Sequence, residues 1–243
     1  MHAGVSYLTR IGKAANHAIL SASEAHGLQV ALKSDSKDFF QSGLVSFIDA
    51  LRSIERGFFS WATVKLYYSV FYALRSRLAL GGDCIFYVLK SPRVLSAKAG
   101  SATTNLKGTT HKAVLGRFRH NYPRDYFLSQ DIGGCPPLDW FIERREETNY
   151  TFSRFCEPNT PSHFEFARNT NTRKMLNAYA TDDLYVFDEQ HAIIAFPFKL
   201  LRDLRVRLAA NSLSPLLTAE TEFLKASVRD RSGPLVSVDT LLS

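Results

Sequence analysis

The stretch Ser60-WATVKLYYSVFYALRSRLA-Leu80 decides the fold of this chain. Trp61, Val64, Tyr68, Phe71, Leu74 and Leu78 recur three or four apart, the spacing of one helix face. Leu66, Tyr67 and Val70 widen that stripe until the helix is apolar on most sides, the pattern of a helix in the middle of a bundle. Ser60 is the expected N-cap, and Gly81-Gly82 ends the run. Lys65, Arg75 and Arg77 interrupt it, so it is too charged to cross a bilayer.

Upstream, Asp38 followed by Gln41 carries helix-start signals, and Leu44, Phe47, Ile48, Leu51 and Ile54 form a stripe that stops at Gly57. The two runs predict a helical hairpin. Weaker periodicity from Ser6 to Ala25 (Leu8, Ile11, Ala15, Ile19) predicts a further helix. Downstream, Cys84–Lys90 is β-branched and aromatic between glycine and proline and predicts a strand. Ser91 to Gly108 is small and polar and predicts a mobile loop, so 84–108 forms a strand-and-loop insertion. "TTHKAVLGRFRHNYP", 109–123, predicts a short helix ending before Pro123.

Pro137 suits the first turn of a helix that carries "RREETNYTF", Arg144 to Phe152, with Pro158 beyond its end. A helical piece follows from Phe164 to Ala180. The runs "DLYVF" (183–187) and "HAIIAF" (191–196) predict a β-hairpin. Pro197 then starts a helix with Leu200, Leu204 and Leu208 inside and Arg202, Arg205 and Arg207 outside, and a last helix runs near Leu216 to Val228. The class is mainly α: a helical bundle with a small β-sheet or hairpin insertion as an α+β accessory part. No repeat or compositional break divides residues 1–243, which are expected to form a single domain, with 160–243 as accessory helices and hairpin.

With 45% apolar residues the chain can build a core. The net charge of +7 favours phosphate-bearing or acidic partners, although the basic residues are spread rather than packed in one tract. Cys84, Cys135 and Cys156 are odd in number and widely spaced, which points away from a disulfide framework or a zinc knuckle and towards a reducing cytoplasm. No secretion signal is expected from the N-terminal residues, and no membrane association. P-loop, HExxH, GxSxG and dinucleotide fingerprints are missing, and the seven histidines are scattered; no cofactor or metal is expected.

The polar segment has two readings. On an α-helix Arg145 and Asn149, four apart, share a face, with Phe141 and Thr148 one turn either way and Tyr150 to the side. A guanidinium and an amide at one spot can hold a phosphate. The alternative is internal pairing, with Glu143, Glu146 and Glu147 neutralising Arg144 and Arg145 on a solvated face.

The spacing Arg145-x-x-x-Asn149-Tyr150, late in a helical bundle, resembles the R-x-x-x-[DN]-Y variant of the terminal motif of the HEPN family. "TVKLYYSVFYALRSRLAL" looks like that family's second bundle helix, and "THKAVLGRF" is similar to its histidine-led helix after a variable loop. The resemblance covers residues 36–152, about half the chain, and rests on the order of the three pieces. It implies a bundle of four or five helices that forms a homodimer, with two copies of the terminal motif facing each other. It also implies a prokaryotic antiviral-defence or toxin–antitoxin setting. Many members are metal-independent endoribonucleases; others bind nucleotides or serve as catalytically silent subunits docked on an ATPase, a nuclease or a nucleotidyltransferase encoded nearby. The candidate catalytic residues are then Arg145, Asn149, Tyr150 and His111. Arg144, Arg145, Arg202, Arg205 and Arg207 are the candidate RNA- or nucleotide-binding residues. Ribonuclease members place histidine where this chain has Tyr150, and a phenol, titrating near 10, is a poor base at neutral pH. His111 is the candidate substitute, unless it only bonds Thr109 or Thr110 at its helix start. His120 suits a helix end.

Overall fold

A capping box starts the longest helix: the Ser21 hydroxyl accepts from Glu24 N and the Glu24 carboxylate accepts from Ser21 N. The computed structural model describes residues 2–14, 18–151, 153–169, 172–182, 186–227 and 239–242. After a first helix, α1 (Ala3–Arg10), this second helix, α2, runs unbroken from Ala22 to Glu55. The start expected at Asp38 is therefore a correction: Asp38 lies within α2. The polar run that read as a boundary is satisfied from outside the helix. Asp35 accepts from Ala3 N (2.6 Å) and Gly4 N (2.8 Å), capping α1, while Ser36 bonds the next helix.

α3 (Phe59–Leu80) packs antiparallel against α2. The two helices approach closely at Gly43, where a Cβ would meet the Ser69 carbonyl at 3.2 Å. Ser36 and Ser76, both fully buried, each donate to the other's backbone carbonyl, at 2.9 and 2.6 Å. Ser60 is not the N-cap; Phe58 is, and the Ser60 amide and hydroxyl both donate to Glu157 at 2.7 Å. Gly81 caps α3, and Gly82 follows at φ +93°, a conformation that favours glycine.

The region expected to be a mobile loop is a second correction. β1 (Asp83–Val88) pairs antiparallel with β2 (Ser91–Ser96), which pairs with β3 (Thr104–Asn105). A buried network ties this sheet to α4 (Thr110–Asn121): Asp83 accepts from Arg117 at 2.6 Å, Asn121 at 2.6 Å and Ser96 at 2.6 Å. These donors hold the Asp83 carboxyl below its ordinary range against the opposing effect of burial.

α5 (Pro137–Glu146) opens on Pro137 as expected. The helical piece near Phe164 is two helices, α6 (Ser162–Asn169) and α7 (Thr172–Thr181). The predicted hairpin is a third correction: 192–196 is the start of α8 (Ala192–Ala210), with Pro197 inside the helix. Leu184 and Tyr185 lie outside the described residues, and Val186 and Phe187 form no strand. Short β-branched apolar runs fit a buried helix as well as a strand, and Ile193 to Phe196 are fully buried. α9 (Thr218–Ser227) and a short α10 (Asp239–Leu242) complete the chain.

The chain is thus mainly helical with a small three-stranded antiparallel sheet. One core draws on α2 through α10, centred on Phe40, Phe47, Leu66, Phe118, Phe141 and Phe196. A smaller one, with Leu8, Leu28, Leu32, Phe39 and Phe86, sits between α1, α2 and the sheet. Among the described residues no helix is long and apolar enough to cross a membrane.

Candidate functional site

Trp140 and Phe141 anchor α5 in the core, which leaves Arg144 and Arg145 on its last turn. The α-helix ends there. Glu147–Thr151 form a π-helical turn, in which the backbone hydrogen bond runs between residues five apart rather than four. The wheel built on 100° per residue therefore fails: Arg145 Nη2 donates to the Tyr150 hydroxyl at 3.3 Å, five residues on. The half-buried Asn149 side chain makes no hydrogen bond among the described residues and does not join Arg145. Thr148 donates to the Arg144 carbonyl at 2.9 Å. Phe152 lies outside the described residues.

The internal-pairing reading holds for one arginine only. Arg144 meets Glu147 at 3.1 Å and Glu143 at 3.8 Å and lies over Trp140. Arg145 forms no ion pair among the described residues; its guanidinium lies between two phenol rings, 5.3 Å from Tyr67 and 5.5 Å from Tyr150. Its Nε is buried without a hydrogen-bond partner. Tyr67 comes from the middle of α3 and is buried, whereas Tyr150 is 72% exposed.

α4 adds His111. Its Nδ1 lies 2.8 Å from the Tyr67 hydroxyl, rather than bonding Thr109 or Thr110, and its ring packs 4.5 Å from Phe71. Burial, then the charges of Arg145 and Arg75, push the His111 pKa below its ordinary value, so the imidazole is neutral at pH 7. Burial raises the Tyr67 phenol well above its usual range, against the pull of Arg145, so it keeps its proton. Four side chains from three separate elements thus meet: Tyr67, His111, Arg145 and Tyr150. Among the described residues His111 Nε2 has no partner and stays available to a ligand.

The other candidates lie apart. His120 sits exposed on the last turn of α4. Arg207 is tied to Asp203 at 2.6 Å, and Arg202 and Arg207 line a cleft that Arg205 does not reach. Sequence reasoning missed His163. It lies half-buried beside Thr63, 3.2 Å from the hydroxyl, against a cavity of about 180 Å³ on the Thr148 side of the π turn. Burial, helped by Arg144, lowers its pKa to about 4. No local pattern around "PSHFE" marks it, because its partner lies 100 residues away.

Cys84, Cys135 and Cys156 are free thiols. Among the described residues no group of His, Cys, Asp and Glu is placed to hold a metal ion. Comparison of the chain with protein-family models, curated proteins and solved structures returned no match.

Proposed function

We propose that the chain is a HEPN-like protein of a prokaryotic antiviral-defence or toxin–antitoxin system, acting as a cytoplasmic homodimer that binds RNA or a nucleotide at the Tyr67–His111–Arg145–Tyr150 cluster. The observation that carries this is Arg145. It is a guanidinium without a carboxylate partner among the described residues, framed by phenol rings. Arginine supplies charge and donors to a phosphate, and the exposed Tyr150 ring offers a face on which a base can stack. Phosphate approach would draw Arg145 off the Tyr150 hydroxyl, a weak neutral acceptor, so the competing contact costs little.

His111 is the group in the cluster suited to accept a proton, because its depressed pKa keeps it neutral. With the ring proton on Nδ1 and donated to the Tyr67 oxygen, Nε2 is the unprotonated nitrogen left to accept a proton. On this reading RNA cleavage uses no metal and is slow, because Tyr150 is a phenol and one nitrogen of His111 is engaged with Tyr67.

A second reading, a docking subunit for an ATPase, a nuclease or a nucleotidyltransferase, is favoured by a different feature. Phe58, Trp61 and Phe155 are about half exposed, and Trp61 meets Phe155 edge-on at 5.5 Å. Aromatic side chains of this kind are enriched at protein interfaces.

Fluorescence anisotropy of a labelled single-stranded RNA, in chelator and at two salt concentrations, tests the first reading. Saturable binding that weakens with salt supports it. Absence of binding, with co-purification of a partner that Trp61→Ala releases, supports the second.

A further inference from the structure

A cleft of about 400 Å³ lies between α8 and the 3-10 turn Tyr126–Leu128. α8 presents Lys199, Arg202, Asp203, Val206 and Arg207 to it, a spacing of three and four that keeps them on one face. The opposite wall is Asp125, Tyr126 and Phe127. None of these residues belongs to the Arg145 cluster.

The acidic groups here are already engaged. Asp125 is held by the buried Arg77 at 2.5 Å, and Asp203 is shared between Arg77 at 3.5 Å and Arg207 Nε at 2.6 Å. The Lys199 ammonium donates to the Asp182 carbonyl. Arg202 is different: half-buried in the wall, it has no ion pair or hydrogen bond among the described residues. The terminal nitrogens of Arg207 are likewise unspent there, since only Nε faces Asp203. Two guanidinium groups with free donors therefore border one cavity, beside a half-exposed tyrosine ring and the exposed Val206.

We propose that this cleft binds a phosphate monoester carried on an aromatic body, the chemistry of a nucleoside monophosphate, with Arg202 and Arg207 on the phosphate and Tyr126 and Val206 against the base. A guanidinium fork matches phosphate oxygens, and the volume suits a ligand of mononucleotide size. The same chemistry occurs on a free nucleotide and on the 5′-phosphate end of an RNA strand. The site does not depend on RNA binding at Arg145.

Calorimetric titration with adenosine monophosphate tests it, in an Arg145→Gln background that removes the other proposed nucleotide site, with the cleft either wild type or carrying Arg202→Gln or Val206→Asp. The wild-type cleft is expected to bind saturably. Arg202→Gln should weaken binding about tenfold or more, as loss of a charge-assisted contact does. Val206→Asp, an exposed position that keeps the fold, should weaken it too by adding a like charge. Short RNA with a 5′-phosphate binding through Arg202 more tightly than the mononucleotide, and 5′-hydroxyl RNA failing to, would identify the strand end as the source; the reverse order would identify the free nucleotide. Absence of saturable binding at millimolar ligand would overturn the proposal. So would adenosine or inorganic phosphate binding as tightly as the monophosphate, or binding that survives Arg202→Gln and Val206→Asp.

Discussion

Tyr67 and His111 stand 44 residues apart in sequence and 2.8 Å apart in space, phenol oxygen to Nδ1. That contact fixes the imidazole ring within reach of Arg145, and its electrostatics can be measured.

Burial and the nearby positive charges of Arg145 and Arg75 all disfavour the imidazolium of His111. Removing one charge must therefore raise its pKa towards the ordinary value near 6.5. NMR titration of the His111 ring should show an upward shift in Arg145→Gln and a smaller one in Arg75→Gln. A pKa that stays put or falls in Arg145→Gln would show that the guanidinium does not sense the imidazole.

His163 predicts the response of stability to acid. Its folded pKa of about 4 lies below the unfolded value near 6.5, so the unfolded chain takes up the proton first. The stability is fully present above about pH 6.5 and is lost as pH falls towards 4, on the order of 3 kcal/mol in total. His111 and His191 are depressed too and act in the same direction. Urea unfolding at pH 7 and pH 5 should show a clear loss in the wild type and a smaller one in His163→Gln. Equal losses in the two proteins would contradict a desolvated, neutral His163.

Parts of this arrangement were legible in the sequence, and the rest had physical reasons to stay hidden. α3 announced itself because its apolar spacing has one period over 22 residues. α2 did not show its full length, because Asp35 and Ser36 look like boundary residues until α1 and Ser76 are there to satisfy them. The strands β2 and β3 escaped because short, partly exposed strands lack a continuous apolar run. Arg145 was found for the right helix with the wrong neighbour: nothing in "ETNYT" signals a π turn, so Asn149 stood where Tyr150 belongs. His111 is marked by its place in the chain; Tyr67 falls on the apolar stripe of α3, whose paired tyrosines read as core with one hydroxyl able to reach the cleft, and it is both buried and part of the cluster.

RNA cleavage by the purified protein should be weak or undetectable in chelator, since Tyr150 is a phenol and His111 is half engaged. Loss of general-base help typically costs about 10²–10⁴-fold. Tyr150→His should raise cleavage without metal, and Arg145→Ala should abolish that gain. Robust wild-type cleavage that survives His111→Ala would show that the chemistry lies elsewhere.

The most direct test compares two adjacent arginines. Arg144 is neutralised by Glu147 and Glu143, whereas Arg145 has no carboxylate partner among the described residues. Affinity for a labelled single-stranded RNA should fall by about 1–3 kcal/mol in Arg145→Ala, the range for a charge-assisted contact, and change little in Arg144→Ala. Equal losses from the two substitutions would mean diffuse attraction to a basic surface, and absence of binding by the wild type would remove the site altogether.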